Sequence, residues 1–351
     1  MDTSIQLYDE KIRPIESIEF NIWPNEEILR GSALGKDSLG IEIPDLYENM
    51  EPKRGGLIDT RLGGSSTTSE CSTCGLSAET CIGHFGHITL AESCFHRGYR
   101  DYVKKILSCV CLTCSRVLIQ KNEEDIIDML KNKSARARFA EIRNLVKTVT
   151  HCGKSGYGCG APVTKIKLEV KKTAAQVNII SELQVQTDEE VPGEFKKKII
   201  KQILTPEICR DILKNISDKD CMIMGIDPKK SRPESMVHTI FPVSPVAIRP
   251  SAKVEFLESS TKEDDLTHKL ADIVKVNLKM KKMKEMSNDV TAKYGPDNAH
   301  LLQLHIYTNY DNESAEMPKS ELRNKATKSL CSRLKGKDGR IECCSSELYV
   351  C

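Results

Sequence analysis

"CSTCGLSAETCIGHFGHITL" occupies residues 71–90 and sets three cysteines and two histidines within seventeen positions. Cys71, Cys74, Cys81 and His84 follow the pattern C-x2-C-x6-C-x2-H. Each short knuckle offers two ligand atoms from a tight turn, and four sulfur or nitrogen donors close a tetrahedron around Zn²⁺. Gly75 and Gly83 adjoin the ligands, where a left-handed backbone eases such a turn. A closed set of four leaves no open coordination position, so the chemistry it implies is structural, not catalytic. His87 is a fifth donor. The two-residue spacing selects His84, and His87 reads as a surface imidazole or one that hydrogen-bonds around the site.

A second set lies further along. Cys111 and Cys114 form another knuckle in "CLTC", and Cys152 and Cys159 in the glycine-rich "HCGKSGYGCGAP" are its best partners. Cys109 and His151 are the alternatives. Such a site would tie together the two ends of a long helical insertion. Cys94, Cys209, Cys221 and Cys331 sit among apolar neighbours and read as small buried hydrophobes.

The chain has 351 residues, of which 39% are hydrophobic, 29% charged and only 5% aromatic. That is ordinary globular composition for about two to three domains with a mostly aliphatic core. The N-terminus has no apolar signal core, and no apolar run approaches the roughly 20 residues of a membrane span. An intracellular setting follows, in which fifteen cysteines are metal ligands and buried thiols, not a disulfide framework. The net charge of +2 rules out a generally basic nucleic-acid binder, so any such role needs a local patch.

Residues 1–70 alternate short apolar runs with Gly, Pro and Asn, which predicts irregular structure with short strands. A helix is expected over 97–108. Two more are expected over 121–149, with a break near Lys133 and Ser134. "VTKIKLEVK" and "QVNIISELQV" alternate apolar and polar residues and predict a pair of strands. "TPEICRDILKNIS" predicts a helix with a Thr cap and Pro at its first position. "FPVSPVAIRPSAK" is excluded from regular structure by its three prolines. Leu266, Leu270, Ile273 and Leu278 fall near one helical face, and Leu302, Ile306 and Tyr310 on another. "KYGPDN" is expected to break the chain between them, which gives an antiparallel helical hairpin. Met280, Met283 and Met286 near its tip offer an adaptable partner surface.

"LYENMEPKRGGLIDTRLG", the Cys/His loop and "CVCLTCSRVL" together resemble one family. It is the N-terminal part of the largest subunit of multisubunit DNA-dependent RNA polymerase, in the form of RNA polymerase II and the large cytoplasmic DNA viruses. The resemblance resumes at "RPESMVHTIFPVSPVAIRPS", "EDDLTHKLADIVKVN", "LLQLHIYTNYDN" and "SRLKGKDGRI", covering most of 14–341 with a divergent middle. It implies an α+β clamp module stabilised by two structural zinc ions. Residues 1–100 would be clamp core with the first zinc, an irregular N-terminal core. Residues 101–237 would be a mixed helix and strand head with the second zinc. Residues 238–341 would be core again, with a protruding helical hairpin and a basic switch-like segment, and 342–351 an unrelated tail. The implied partners are the other polymerase subunits including the second-largest, template DNA and the DNA–RNA hybrid, and transcription factors at the hairpin. The implied place is the nucleus of a cell, or the host cytoplasm, virus factory or virion of a virus.

The family's catalytic loop, Asn-Ala-Asp-Phe-Asp-Gly-Asp, is absent from this sequence. The acidic runs "NEEDII" and "KEDDLT" lack its glycine and spacing and read as helix N-termini. Mg²⁺ chemistry is therefore expected only in a complete polymerase, no residue here is expected to be catalytic, and the chain reads as a fragment that makes no RNA by itself. From Lys319 to Arg340 there are eight basic and two acidic residues. Arg333, Lys335, Lys337 and Arg340 in this strip are the expected phosphate contacts. "SAKVEFLESS" would be a further loop facing the hybrid. Two other functions compete: a RING-like ubiquitin ligase, which uses paired zinc sites, and a free-standing zinc protein that binds polymerase partners or nucleic acid.

Overall fold

The computed structural model describes residues 21–35, 38–49, 51–64, 69–119, 129, 131–153, 158–171, 176–188, 195–253, 261–285, 288–314, 318–322, 325–335 and 339. Helices and strands are mixed, as the α+β reading expected. In chain order come α1 (Asn25–Gly31), a short ribbon of β1 (Tyr47–Glu48) and β2 (Glu51–Pro52), β3 (Gly86–Phe95), α2 (Arg100–Leu107) and α3 (Ala135–Val146). A meander of β4 (Lys165–Lys171), β5 (Gln176–Asp188) and β6 (Phe195–Leu204) follows, then α4 (Pro206–Lys214), α5 (Asp218–Ile223) and β7 (Val237–Val243). The last part holds β8 (Ala252–Lys253), β9 (Thr261–Lys262), α6 (Asp265–Glu285), α7 (Asn288–Tyr310), β10 (Glu321–Leu322), β11 (Lys325–Ala326) and α8 (Leu330–Leu334).

Local signals account for several boundaries. The Ser134 hydroxyl accepts the Ala137 N–H and starts α3, at the predicted break. The Thr205 hydroxyl accepts the Ile208 N–H, and Pro206 opens α4 without losing a helical hydrogen bond. The first of the two helices expected over 121–149 and the loop "SAKVEFLESS" lie largely outside the described residues.

Buried side chains form two clusters. One gathers Val103, Ile106, Phe139, Ile142, Ile179, Leu204 and Leu213, from α2, α3, the meander and α4. The other gathers Leu57, Leu62, Ile88, Phe241, Leu270, Ile273, Leu302 and Ile306, from the N-terminal loops, β3, β7, α6 and α7. β3 serves both, with Ile88 in the second and Phe95 in the first. Arg249 is fully buried beyond β7. Its guanidinium donates to the Leu57 and Ser244 carbonyls and to the Thr267 hydroxyl, joining three distant segments.

Three expectations change. Phe241–Val243 belong to β7, with Pro242 opposite His87. Among the described residues β7 is paired with β3 along one edge only, and on its other edge a missing N–H costs no ladder bond. "KYGPDN" does not break the hairpin either, because α7 runs through Pro296. The proline ring removes one helical N–H, and α6 packs against α7 alongside it. Helix packing then outweighs a proline cost of about 3 kcal/mol. The two helices still run antiparallel, since Asn298 meets Met283 while His305 meets Lys269. Finally, Met280 and Met283 are buried, so they are core and not a partner surface. Their three-residue spacing puts them on the face of α6 that packs on α7. Met286 lies outside the described residues.

Candidate metal centres

The first group hangs from a 3₁₀ turn at Thr60–Leu62. Ser72 N–H donates to the Thr60 carbonyl, the Thr73 hydroxyl to the Arg61 carbonyl at 2.7 Å, and His84 N–H to the Leu62 carbonyl at 3.0 Å. The turn itself is pinned by buried Asp59, whose carboxylate takes the N–H groups of Gly55 and Arg61 and pairs with the Arg61 guanidinium at 2.7 Å. Burial pushes the Asp59 pKa up, but these donors outweigh it and hold the carboxyl below its usual range.

The knuckles themselves are backbone-closed turns. Gly75 N–H donates to the Cys71 carbonyl at 2.8 Å, and Cys71 N–H to the Leu76 carbonyl at 2.9 Å. Gly75 has φ +72°, where a side chain would be strained. The second group repeats the construction. Ser115 N–H reaches the Cys111 carbonyl at 2.9 Å, and Cys111 N–H reaches the Arg116 carbonyl at 2.8 Å. Ser115 takes the left-handed position with φ 57°. That serine carries no glycine signal, so the sequence did not single it out. Cys152 closes the other half: its N–H donates to the Ala161 carbonyl at 2.9 Å, and its carbonyl accepts the Gly160 N–H at 3.0 Å.

The ligand atoms of Cys71, Cys74, Cys81 and His84 all lie within 4.8 Å of one another, as do those of Cys111, Cys114, Cys152 and Cys159. Cys74 and Cys81 sulfurs are 3.5 Å apart, and Cys81 sulfur is 3.7 Å from His84 Nε2. Cys111–Cys159 and Cys114–Cys152 sulfurs are each 3.6 Å apart. A tetrahedron with metal–sulfur bonds of about 2.3 Å has edges of about 3.8 Å. Both groups therefore have the size and donor set to hold a metal ion. Each takes its ligands from one block of the chain, so they are not interleaved as the cross-braced pairs of a RING would be.

The spare donors go elsewhere. His87 is fully buried in β3, not at the surface, with Nδ1 at 2.7 Å from the Ser32 hydroxyl and Nε2 at 3.0 Å from the Ser38 carbonyl. Its neighbour Ile88 faces the core, so alternation puts His87 on the opposite face of β3, where the loop that carries Ser32, Ser38 and Ile41 covers it. Cys109 is buried among α2 and α3 side chains, and burial pushes its thiol up to about 11. His151 is exposed and sits beside the Thr150 hydroxyl. Cys94, Cys209 and Cys221 are buried as expected, whereas Cys331 is only partly so.

The basic strip is less uniform than its sequence. Arg333 pairs with Asp264 at 2.6 Å and donates to the Ile248 carbonyl at 3.2 Å, so its charge is engaged inside the chain. Asp264 also accepts the Leu266 N–H at 2.8 Å, the helix-start role expected of "KEDDLT". Lys335 is exposed, while Lys337 and Arg340 lie outside the described residues. Among the described residues no helix is long and apolar enough to cross a membrane.

A family model described as RNA polymerase Rpb1, domain 1, matches residues 12–343. DNA-directed RNA polymerase subunit 1 of Acanthamoeba polyphaga mimivirus is 48% identical over 334 residues, which cover 94% of this chain and 22% of that protein. The chain thus spans about a fifth of the length of that relative. A match that takes in both four-ligand groups, the helical pair and the basic strip leaves one conclusion: the chain belongs to the RNA polymerase Rpb1, domain 1, family.

Proposed function

We propose that this chain acts as the clamp portion of the largest subunit of a DNA-directed RNA polymerase, holding DNA and the DNA–RNA hybrid. The observation that carries the reading is the family match across 12–343 together with two preformed four-ligand groups inside it. Cys71, Cys74, Cys81 and His84 would hold one Zn²⁺ and Cys111, Cys114, Cys152 and Cys159 another. Each ion would lock loops that have little apolar surface of their own. Residues 1–100 and 238–341 would form the clamp core and 101–237 its head, in keeping with the two buried clusters. The pair α6 and α7 would be the protruding hairpin that meets transcription factors. Lys335, Lys337 and Arg340 would contact phosphates, with Arg333 anchoring the strip to the start of α6.

In this reading the chain is a non-catalytic part of a nucleotidyltransferase. The two Mg²⁺ ions of the reaction and their aspartates belong to the complete enzyme, as do the second-largest subunit and the other partners. The relative is viral, which favours a viral polymerase working in the host cytoplasm or the virion.

The test is made on the purified chain. Elemental analysis should find about two zinc ions per chain. The chain should bind a DNA–RNA hybrid with a shallow salt slope of about 0.9 per neutralised phosphate, and should incorporate no nucleotide. Neutralising Lys335, Lys337 and Arg340 together should flatten that slope and leave the zinc content unchanged. One zinc or none, or hybrid binding indifferent to the triple change, would remove the proposal.

A further inference from the structure

Two adjoining hollows flank α3 on the side of the second metal group. One has a volume of about 540 Å³ and lies between α2 and α3. The other, about 1050 Å³, runs from α3 to β4 past Cys109 and the loop that carries Cys152. Arg143 lines both and stands between them, so the two hollows follow one another along α3 as a trough. Among the described residues its charged lining is Lys105, Arg136, Arg143, Lys147, Lys165 and Lys167, with Glu182 as the single carboxylate.

That carboxylate is already neutralised, at 2.7 Å from Lys167 and 3.8 Å from Lys201. Lys105, Arg136 and Arg143 have no carboxylate within ion-pair reach among the described residues, whereas Lys165 stands opposite Glu182 in the β4–β5 ladder and shares in neutralising it. The contrast with Arg333, which is spent on Asp264, is direct. Unpaired cations gathered along a concave surface focus an attractive potential on anions. The spacing along the trough is regular as well. Arg143 and Lys147 are one helical turn apart, about 6 Å, and Lys165 and Lys167 share a strand face about 6.6 Å apart. Both steps suit a chain with one negative charge per repeat. Each hollow, by its volume, takes one or two groups as large as a nucleotide. A duplex could touch only its rim, whereas a single strand could lie along it.

We propose that this trough is a second nucleic-acid site, one that binds the backbone of single-stranded RNA or DNA without sequence preference. It goes beyond the clamp reading, because it uses none of residues 333–340 and does not need an assembled polymerase. A groove lined by cations that tracks a strand is the general design of such sites.

The experiment uses the full chain with Lys335, Lys337 and Arg340 already neutralised, so that the strip cannot contribute. Binding of labelled 20-residue RNA, DNA and duplex is read by fluorescence anisotropy against salt. The groove variant adds Arg136→Gln, Arg143→Gln and Lys165→Gln. The control variant instead adds Lys214→Gln, Lys219→Gln and Lys229→Gln, an equal charge change on the exposed surface around α4 and α5. Single strands should bind the background chain, and the groove variant should lower the log–log salt slope by about 2, at roughly 0.7 per contact. The control should keep the background slope, and all three proteins should share zinc content and urea midpoint. A preference for RNA or for DNA within that result identifies the strand. The inference is overturned if groove and control variants behave alike. Duplex binding with the same dependence on the groove residues, or poly-glutamate competing as well as RNA at equal charge, would overturn it too.

Discussion

Asn277→Ala should destabilise the protein out of proportion to the atoms removed. Between Thr89 and Cys94 the ladder of β3 with β7 shifts register, and β3 loses partners there. Asn277, on α6 and 3% exposed, fills the gap. Its Oδ1 accepts the Ala91 N–H at 2.7 Å, and its Nδ2 donates to the Thr89 carbonyl at 2.9 Å. On α7, Gln303 does the same for both backbone groups of Phe95, at 2.7 and 2.9 Å. A buried backbone group stripped of its partner costs about 1–3 kcal/mol. Asn277→Ala strips two, against a gain in helix propensity of under about 0.7 kcal/mol. A net loss of about 2–4 kcal/mol is expected. Urea unfolding of the zinc-loaded chain reads the loss, and hydrogen exchange should show the Ala91 amide deprotected ahead of its neighbours. Asn277→Asp keeps the acceptor, loses the donor and buries a charge, so it should be at least as damaging at pH 7 and recover in acid as the carboxyl protonates. A loss below about 0.5 kcal/mol with Ala91 still protected would refute the idea that side-chain amides replace the missing ladder.

Cys74→Ala should lower bound metal from two ions towards one and unfold the loops around Thr60–Leu62, whereas Cys94→Ala, at a buried thiol outside either group, should cost about 1 kcal/mol and leave metal content unchanged; equal thermal shifts for the two would count against the ligand assignment. Acid should weaken the fold through His96 and His238, whose pKa values burial pushes down to about 4 and about 3. Both rings are neutral in the folded state but protonate in the unfolded chain below about pH 6.5, so stability is full above that pH and falls below it. His238 alone should account for a loss of about 2 kcal/mol between pH 7 and pH 5. His238→Gln should reduce the slope of the urea midpoint against pH by about one proton, and an unchanged slope would exclude this origin.

The metal groups were legible because their ligands obey short spacings that turns impose, and a turn is local. The break at Ser134 and the cap at Thr205 were legible for the same reason, as was the alternation in β4 and β5. What stayed hidden depends on partners far away in sequence. A proline inside a helix usually ends it, yet here the packing of α7 on α6 carries Pro296. Pro242 is a strand breaker until one knows that β7 has an open edge. Met280 and Met283 look like a flexible surface only while α7 is missing from the picture. Arg333 resembles its basic neighbours, but Asp264, far back along the chain, claims it. β6 escaped notice because its lysine run hides the alternation that its pairing with β5 reveals.

The second metal group also works on the unfolded chain. Cys114 and Cys152 are 38 positions apart, whereas Cys74 and Cys81 are 7 apart. Closing the longer span removes more conformational freedom, by about 1.5 kcal/mol at room temperature on a logarithmic loop-entropy estimate. The same logarithm makes further lengthening cheap, at about 0.6 kcal/mol per doubling. A metal that clips the two ends of the insertion thus frees its interior from any fixed length, and changes of size in this part of the fold should accumulate between Cys114 and Cys152.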